Sequence, residues 1–440
     1  MKINKFKDTS IFLLFYILFL LNSCTPQKTV TAKPSKPPKQ HQKEQQRPTV
    51  EEIATKPVEI KDFKLASERT EEYLPLLKGK RVAVVTNQTG IVHISKGLKN
   101  LETGESKSSY KHIVDYLIEN QVVVKKIFAP EHGFRGTNDA GEKVNNEWDQ
   151  KTNLPIISLY GNSKKPKAEN LQDVDVIVFD IQDVGVRFYT YISTLHYVME
   201  AAAENNIPII VFDRPNPNGH YIDGPILEED CKSFVGMHPV PVVYGMTIGE
   251  FAQMINGEGW LQNGEKADLK VIKMNHYQHN MTYDLPIKPS PNLPNAQSIA
   301  LYPSLCFFEG TSVSVGRGTD FAFQVFGAPY LTGDFQFTPK PNVGANNPLY
   351  NGKQIVGTDL RNYPSRMNQL NLSWLIEARN QNKTSNTLFW NKDMFINLLA
   401  GTKKFKEQID QGLTEAEIRA TWQEGIENFK TIRTKYLLYP

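Results

Sequence analysis

Several motifs that mark common enzyme classes are missing from this sequence. No glycine-rich G-x-G-x-x-G follows the first apolar segment and no Walker-type lysine occurs, so the phosphate-binding loops of nucleotide enzymes are absent. Residues 58–228 contain no H-E-x-x-H, no C-x-x-C and no histidine pair at helical spacing, and we predict no metal site. A G-x-S-x-G nucleophile elbow is also missing. These absences leave acid and base chemistry by carboxylates, without a cofactor, as the enzyme class to consider.

Cysteine is scarce, and the charges nearly balance. One of the three cysteines belongs to the N-terminal segment, which leaves Cys231 and Cys306 either as one disulfide or as two small buried thiols. Free thiols are favoured, because a large core needs no covalent staple. The net charge is +3, with 50 Lys and Arg against 47 Asp and Glu and no long basic block in the folded part. Nucleic acid is therefore not predicted as a partner.

The N-terminus resembles the export signal of a bacterial lipoprotein. Three lysines among the first seven residues precede the apolar run Ile11–Leu21, which is too short to cross a hydrocarbon core of about 30 Å as a helix. The run ends in LNSC, which is similar to a lipobox and predicts acylation of Cys24 and a membrane anchor. An ordinary signal peptide with a chance cysteine is the alternative. Thr25, rather than an aspartate, follows the cysteine, and this resembles sorting to the outer membrane, facing the periplasm.

The composition divides the chain into four parts. Residues 1–23 are the predicted lipoprotein signal peptide. Residues 24–57 are rich in Lys, Pro, Gln and Thr and poor in large apolar residues, which predicts a disordered tether. The remaining chain is longer than one core usually organises, so we predict two folded domains, a catalytic one over 58–228 and a smaller auxiliary one over 229–440.

Apolar segments alternate with helical patterns in the first folded domain. Five short, β-branched segments are predicted as buried strands: Arg81–Thr86, Val122–Phe128, Ile156–Leu159, Val174–Phe179 and Ile207–Phe212. Helical periodicity falls between several of them, as in Tyr110–Glu119 and Thr194–Asn205. This order predicts an α/β fold, with a Rossmann-like, mostly parallel sheet and helices on both faces. After Glu228 prolines and aromatics become dense and the alternation stops, which predicts an α+β domain.

Polar side chains follow every predicted strand, at the edge where such sheets bind ligands. The candidates, in strand order, are Asn87; Glu131, His132 and Arg135; Tyr160; Asp180, Gln182, Asp183, Arg187 and Tyr189; and Arg214 and Asn216. The auxiliary domain adds Asn292, Glu309 and Arg317, in loops that we expect to close over the strand ends.

Glu131 is the first choice for a proton donor, because it lies at a strand end beside an ionisable histidine. An ion pair with Arg135 or a helix cap is the alternative for this carboxylate. His132 is either its orienting partner, a ligand-binding group or a structural histidine. Asp183 supplies a second carboxylate, unless it only forms a local salt bridge with Arg187.

The sequence resembles a known family in eight motifs that occur in the same order. These are TNQTG at Thr86, EHGFRG at Glu131, SLYG at Ser158, FDIQDVGVRFYTY at Phe179, DRPNP at Asp213, YGMTIGE at Tyr244, SPNLP at Ser290 and FEGTSVSVGRGT at Phe308. They are similar to the motifs of the bacterial exo-β-N-acetylmuramidases, long described as a domain of unknown function. The resemblance covers roughly Lys61 to Pro440.

The resemblance implies a glycosidase that releases terminal N-acetylmuramic acid from the non-reducing end of peptidoglycan-derived glycans, without a cofactor. The glutamate of the family's EHGFRG motif falls on Glu131. An arginine is expected on the lactyl carboxylate of the sugar, and Arg135, Arg187, Arg214 and Arg317 are all candidates. Retaining, inverting and substrate-assisted mechanisms stay open. A lipid-anchored glycan-binding protein and a nucleotide-dependent Rossmann enzyme are the rival functions.

Overall fold

The computed structural model of the chain describes residues 62–94, 109–134, 147–161 and 163–440. All of them lie in one compact unit, Lys56–Pro440. The predictions for the signal peptide, Cys24, the tether and Arg135 fall outside the described residues.

Strands and α-helices alternate in the first half of the described chain, and helices dominate its end. The strands are β1 (Arg81–Thr86), β2 (Ile91–His93), β3 (Tyr110–His112), β4 (Val123–Ala129), β5 (Glu147–Asp149), β6 (Leu154–Ser158), β7 (Val176–Asp180), β8 (Ile209–Phe212), β9 (Leu269–Ile272), β10 (Val325–Ala328), β11 (Phe335–Phe337) and β12 (Ile355–Asp359). The helices are α1 (Thr70–Leu77), α2 (Ile113–Glu119), α3 (Tyr191–Glu204), α4 (Ile248–Gly257), α5 (Ala296–Leu305), α6 (Ser373–Asn382), α7 (Phe395–Ala400), α8 (Lys404–Gln411), α9 (Glu415–Ala420) and α10 (Gln423–Arg433). Within the described part, no helix has the length and apolar character that crossing a membrane requires.

Seven strands form the main sheet, in the order β5-β6-β4-β1-β7-β8-β9. All neighbouring pairs are parallel except β5 with β6. When the six parallel strands are numbered among themselves in chain order, they lie as 3-2-1-4-5-6, which is the arrangement of doubly wound dinucleotide-binding sheets. The predicted Rossmann-like sheet is confirmed, and its topological switch point lies between β1 and β7.

Helices cover both faces of this sheet because successive side chains of a strand point to opposite sides. On β1, Val82 and Val84 belong to the core that also contains residues of α1 and α2. The alternating residues Ala83 and Val85 belong to the core that contains residues of α3 and α4. Burial on both faces explains why β1, β7 and β8 read as nearly continuous apolar runs.

The predicted strands agree with β1, β4, β6, β7 and β8 to within two residues at each end. The predicted helix Tyr110–Glu119 was too long, because its first three residues form β3 and pair with β2. The edge strands β5 and β9 were missed. Since β9 begins at Leu269, the sheet takes its last strand from beyond the predicted domain boundary at residue 228.

The C-terminal part contains the antiparallel sheet β10-β12-β11 and helices α5 to α10, as the predicted smaller α+β domain requires. Its core is continuous with one core of the main sheet. Phe188, in the loop after β7, contacts Tyr302 of α5 edge to face at 5.4 Å between ring centroids, and Phe307 at 5.8 Å. These contacts hold the end of α5 against the carboxyl ends of the parallel strands.

Candidate active site

A cavity of about 750 Å³ lies at the carboxyl ends of β4, β6 and β7. Residues of the first half that line it are Glu131, His132, Tyr160, Phe188, Tyr189, Thr190 and Tyr191. Later residues that line it are Phe234, Val235, Ser290, Asn292, Leu293, Tyr302, Cys306, Glu309, Arg317, Phe323, residues 344–349, Phe395 and Leu399. A volume of this size is typical of small-molecule sites.

Glu131 and His132 follow β4 immediately and reach the cavity from its end. Glu131 is half-buried, and its Oε2 accepts a hydrogen bond of 2.8 Å from the hydroxyl of Thr190. His132 is buried and has a left-handed backbone, with φ of 70°, and Gly133 follows with φ of 74°. This turn ends the strand sharply and leaves the Glu131 carboxylate at the cavity wall.

Aromatic side chains form much of the cavity wall. Tyr189 contacts Tyr191 edge to face at 4.8 Å and Tyr302 at 5.9 Å between ring centroids. The Tyr189 hydroxyl donates to the carbonyl of Pro289 at 2.8 Å, which fixes the ring. On another side of the cavity, the ring centroids of Tyr160 and Phe234 are 6.1 Å apart. Rings held in this way offer apolar faces to the C–H groups of a sugar.

Glu309 and Arg317 line the cavity as an ion pair. The Nε and Nη2 atoms of Arg317 donate to the two carboxylate oxygens of Glu309, and the Nη2 bond is 3.1 Å long. The guanidinium lies over the ring of Phe323, 5.0 Å from its centroid. The sequence had pointed to both residues, and Tyr160, Tyr189 and Asn292 from the same set of candidates also line the cavity. Thus the loops of the C-terminal part meet the strand ends, as expected.

Arg187, one of the four arginines suggested for the substrate carboxylate, does not line the cavity. Its side chain is fully buried and donates hydrogen bonds to four carbonyl oxygens. The acceptors are Pro225 at 2.8 Å, Val240 at 2.6 Å, Leu399 at 3.2 Å and Ala400 at 2.6 Å. Burial lowers the pKa of Arg187 to about 9. Because the side chain is fully buried and its two terminal nitrogens donate to carbonyls inside the protein, we remove Arg187 from the candidate site.

Asp180 and Arg214 form a buried, bidentate ion pair beside the switch point of the sheet, and neither lines the cavity. The Nε of Arg214 lies 2.5 Å from Oδ1 of Asp180, and Nη2 lies 2.9 Å from Oδ2. Nη2 also donates to the carbonyl of Ile91 at 3.1 Å. Charged side chains therefore occupy the place where related sheets bind a dinucleotide, which argues against the nucleotide-dependent interpretation. Both residues leave the substrate-binding set.

Four other candidate side chains are buried, and their hydrogen bonds hold loops together. The amide nitrogens of three of them donate to neighbours: Asn87 to the Tyr191 hydroxyl at 2.8 Å, Gln182 to the Pro215 carbonyl at 2.6 Å, and Asn216 to the Met246 carbonyl at 2.8 Å. Asp183 accepts from the backbone N–H of Gly185 at 2.7 Å and from the Tyr244 hydroxyl. Burial raises the pKa of Asp183 to about 6. These side chains shape the site from outside the cavity, so a direct catalytic or binding contact is not assigned to them.

The sequence reasoning missed several lining residues. Thr190 lies inside the FYTY motif, in which the sequence pointed only to the tyrosines as contacts for a sugar. Residues 344–349 come from a loop without a recognisable motif, and the Asn292 side chain contacts this loop by donating to the Gly344 carbonyl at 2.7 Å. Their position depends on long-range packing, which the local sequence does not reveal.

The two described cysteines are free and buried, so Cys231 and Cys306 do not form the disulfide that the sequence left open. Cys306 lies in the cavity lining, with its Sγ 3.7 Å from Oε2 of Glu309. Among the described residues, no three His, Cys, Asp or Glu side chains are grouped so as to hold a metal ion.

Comparisons with known proteins agree with the fold and with the motifs. Residues 82–297 match the family described as exo-beta-N-acetylmuramidase NamZ, N-terminal, and residues 300–439 match its C-terminal counterpart. The peptidoglycan beta-N-acetylmuramidase NamZ of Bacillus subtilis (strain 168) is 37% identical over 397 residues, which cover 84% of this chain and 89% of that protein.

Two crystal structures of DUF1343 family proteins from Bacteroides fragilis are also similar. One is 42% identical with a TM-score of 0.75, and the other is 30% identical with a TM-score of 0.70. Each comparison covers 86% of this chain and 99% of the other. The chain belongs to the exo-β-N-acetylmuramidase family and is a glycosidase.

Proposed function

We propose that this glycosidase releases N-acetylmuramic acid from the non-reducing end of peptidoglycan-derived glycans, with Glu131 as the general acid. The observation that carries the proposal is the position of Glu131. Its carboxylate lines a cavity with aromatic walls and an arginine, at the carboxyl ends of the parallel strands. The Bacillus subtilis relative, whose name specifies peptidoglycan, supports the choice of substrate.

The shape of the cavity supports release of a terminal sugar. Its lining includes fully or almost fully buried side chains, among them Leu399, Phe323 and Cys306. A floor of buried residues suits the end of a glycan chain better than an uninterrupted polymer, which needs an open groove on both sides. The cavity volume of about 750 Å³ leaves room for one amino sugar and part of the next.

In the proposed reaction, the bond between the anomeric carbon and the glycosidic oxygen breaks. Glu131 gives its proton to that oxygen, and the leaving sugar keeps the bonding electrons. Water finally supplies the hydroxyl on the anomeric carbon, and the second proton of that water replaces the one that Glu131 gave up. Thr190 donates a hydrogen bond to Oε2 of Glu131 and so orients the carboxyl group at the cavity wall. The buried Asp183 does not reach the lining, so it is not assigned the role of the second catalytic group.

The direct test replaces Glu131 by glutamine and measures muramic acid released from a peptidoglycan-derived disaccharide. We expect release to fall by about 10²- to 10⁴-fold, the usual contribution of a general acid. Glu265→Gln, which makes the same change at an exposed position, is the matched control and should leave the rate unchanged. Wild-type rates in the Glu131→Gln protein would remove this residue from the role. A wild-type protein that binds the disaccharide and never cleaves it would instead favour a glycan-binding protein.

From the sequence alone, we also propose that the enzyme is an exported lipoprotein, anchored through Cys24 in the outer membrane and facing the periplasm. The lipobox-like LNSC supports this location, as does the polar, proline-containing tether that follows. Cys24→Ser should move the protein from the membrane fraction to a soluble fraction, or block its maturation. Unchanged membrane association in that variant would contradict the anchor.

A further inference from the structure

We infer that Arg317, oriented by Glu309, selects N-acetylmuramic acid over N-acetylglucosamine by binding the lactyl carboxylate. The two sugars differ in the lactyl ether that muramic acid carries, so a selective site must recognise that group. This inference rests on the proposed function, because it assumes that an amino sugar occupies the cavity next to Glu131.

Arg317 is the only Arg or Lys side chain among the described residues that line the cavity. Of the four arginines that the sequence suggested, Arg187 and Arg214 are buried elsewhere and use their donors on protein oxygens. Arg135 lies outside the described residues. Arg317 keeps about a quarter of its side-chain surface exposed, so a ligand in the cavity can reach it.

The guanidinium has one edge occupied and another available. Glu309 binds Nε and Nη2, whereas Nη1 makes no hydrogen bond to any described residue. Guanidinium groups present donors in a rigid fork that matches a carboxylate. The Nη1 side can therefore donate hydrogen bonds to the lactyl carboxylate. Because Glu309 and the ring of Phe323 hold Arg317 in place, little conformational entropy is lost when a ligand binds.

The charges in the cavity make the selection specific. Glu309 is already paired with Arg317, and the open edge of Arg317 is the place in the described lining where an anion meets an arginine or lysine side chain. A lactyl carboxylate that binds there gains charge-assisted hydrogen bonds. N-acetylglucosamine has no carboxylate and gains nothing from this edge. The two sugars should therefore bind with clearly different affinities in the wild-type protein.

The test measures binding of free N-acetylmuramic acid and free N-acetylglucosamine by titration calorimetry. The informative variant is Arg317→Gln combined with Glu309→Gln, since it removes both charges and leaves neither unpaired. We expect it to bind N-acetylmuramic acid about ten- to a hundred-fold more weakly and N-acetylglucosamine within about two-fold of wild type. Arg317→Lys, which keeps the charge and loses the fork, should give a smaller loss.

A neutral ligand supplies the matching control. The methyl ester of N-acetylmuramic acid should bind the wild-type protein as weakly as the double variant binds the free acid, and the double variant should not distinguish the ester from the acid. An unchanged preference for muramic acid in the double variant, or an equal loss for both sugars, would overturn the inference.

Catalysis separates this inference from the proposed function. If the wild-type protein binds muramic acid selectively through Arg317 but releases none from the disaccharide, the proposed function fails and the selectivity stands. If the wild-type protein releases muramic acid and the double variant keeps the full preference, the inference fails alone.

Discussion

The hydroxyl of Thr190 donates a 2.8 Å hydrogen bond to Oε2 of Glu131. Thr190 occupies the N-cap position of α3, where threonine usually caps the helix, yet its side chain makes no capping bond. The hydroxyl thus serves the carboxylate rather than the helix. This bond links the loop after β4 to the start of the helix after β7.

Replacing Thr190 by valine should lower kcat with little change in KM. Valine keeps the size of the side chain and removes the donor that orients the Glu131 carboxyl group, so we expect kcat to fall by about ten-fold or more. Thr190→Ser keeps the hydroxyl and should stay near wild type. Because no helix cap is lost, the melting temperature of the valine variant should hardly change. A large fall in melting temperature with normal kcat would show that the bond is only structural.

Arg187→Met should destabilise the protein rather than weaken substrate binding. The change removes the guanidinium donors from four carbonyl oxygens, of which Val240 keeps a bond of 3.3 Å from the backbone N–H of Leu227. Each unsatisfied buried group costs about 1–3 kcal/mol, so the total exceeds about 3 kcal/mol and lowers the melting temperature by several degrees. KM, measured on the folded enzyme below its melting temperature, should match wild type. A normal melting temperature together with a raised KM would restore Arg187 to the substrate site.

Arg187 and Arg317 show which site residues the sequence alone can predict. Arg187 lies inside the motif FDIQDVGVRFYTY and Arg317 inside FEGTSVSVGRGT, and by sequence both were equally able to bind a carboxylate. Their environments in the structure differ, because carbonyl groups up to 213 residues away in the chain surround Arg187. Such long-range packing has no local signal. By contrast, the buried parallel strands were predictable, since burial on both faces demands unbroken apolar runs.

The same reasoning explains the strand that was missed. The sequence of β9 is LKVI, and Lys270 is exposed at the edge of the sheet. A four-residue edge strand with a lysine lacks the continuous apolar run of a central strand. The sequence predicted site residues that directly follow a strand, such as Glu131. It did not predict residues 344–349, because they belong to a loop far away in the chain that completes the cavity wall.

Asp183→Asn should change how stability depends on pH. Burial raises the pKa of Asp183 to about 6, whereas an unfolded aspartate titrates near about 3.9. The folded state therefore binds the proton of Asp183 more tightly than the unfolded state does. This contributes to the free energy of unfolding below about pH 4, and the contribution is lost as the pH rises to about 6. The gap between the two pKa values corresponds to about 3 kcal/mol.

Asparagine does not titrate, so the melting temperature of Asp183→Asn relative to wild type should rise between pH 4 and pH 6 and level off above. Melting curves of both proteins at half-unit pH intervals measure this difference, and the contributions of other groups cancel. A difference that is flat over this range would show that Asp183 is ionised throughout.

Cys231 and Cys306 should resist alkylation in the native protein. Both thiols are almost fully buried, and burial raises the pKa of each, which disfavours the reactive thiolate. We expect iodoacetamide to label them only after the protein has been denatured, and this labelling should need no reductant. Peptide mass spectrometry detects the labelled cysteines. Labelling that requires a reductant would reveal a disulfide and contradict the free thiols of the structure.

The assignment of Glu131 as proton donor is tested most directly by leaving-group dependence. Kinetics of the wild-type protein and Glu131→Gln are compared on a muramic acid disaccharide and on a β-muramide with a dinitrophenyl leaving group. A sugar needs its oxygen protonated as it departs, whereas dinitrophenolate leaves without help. If Glu131 is the proton donor, Glu131→Gln slows cleavage of the disaccharide by about 10²- to 10⁴-fold and cleavage of the dinitrophenyl substrate far less. An equal loss on both substrates, or no loss on the disaccharide, would contradict it.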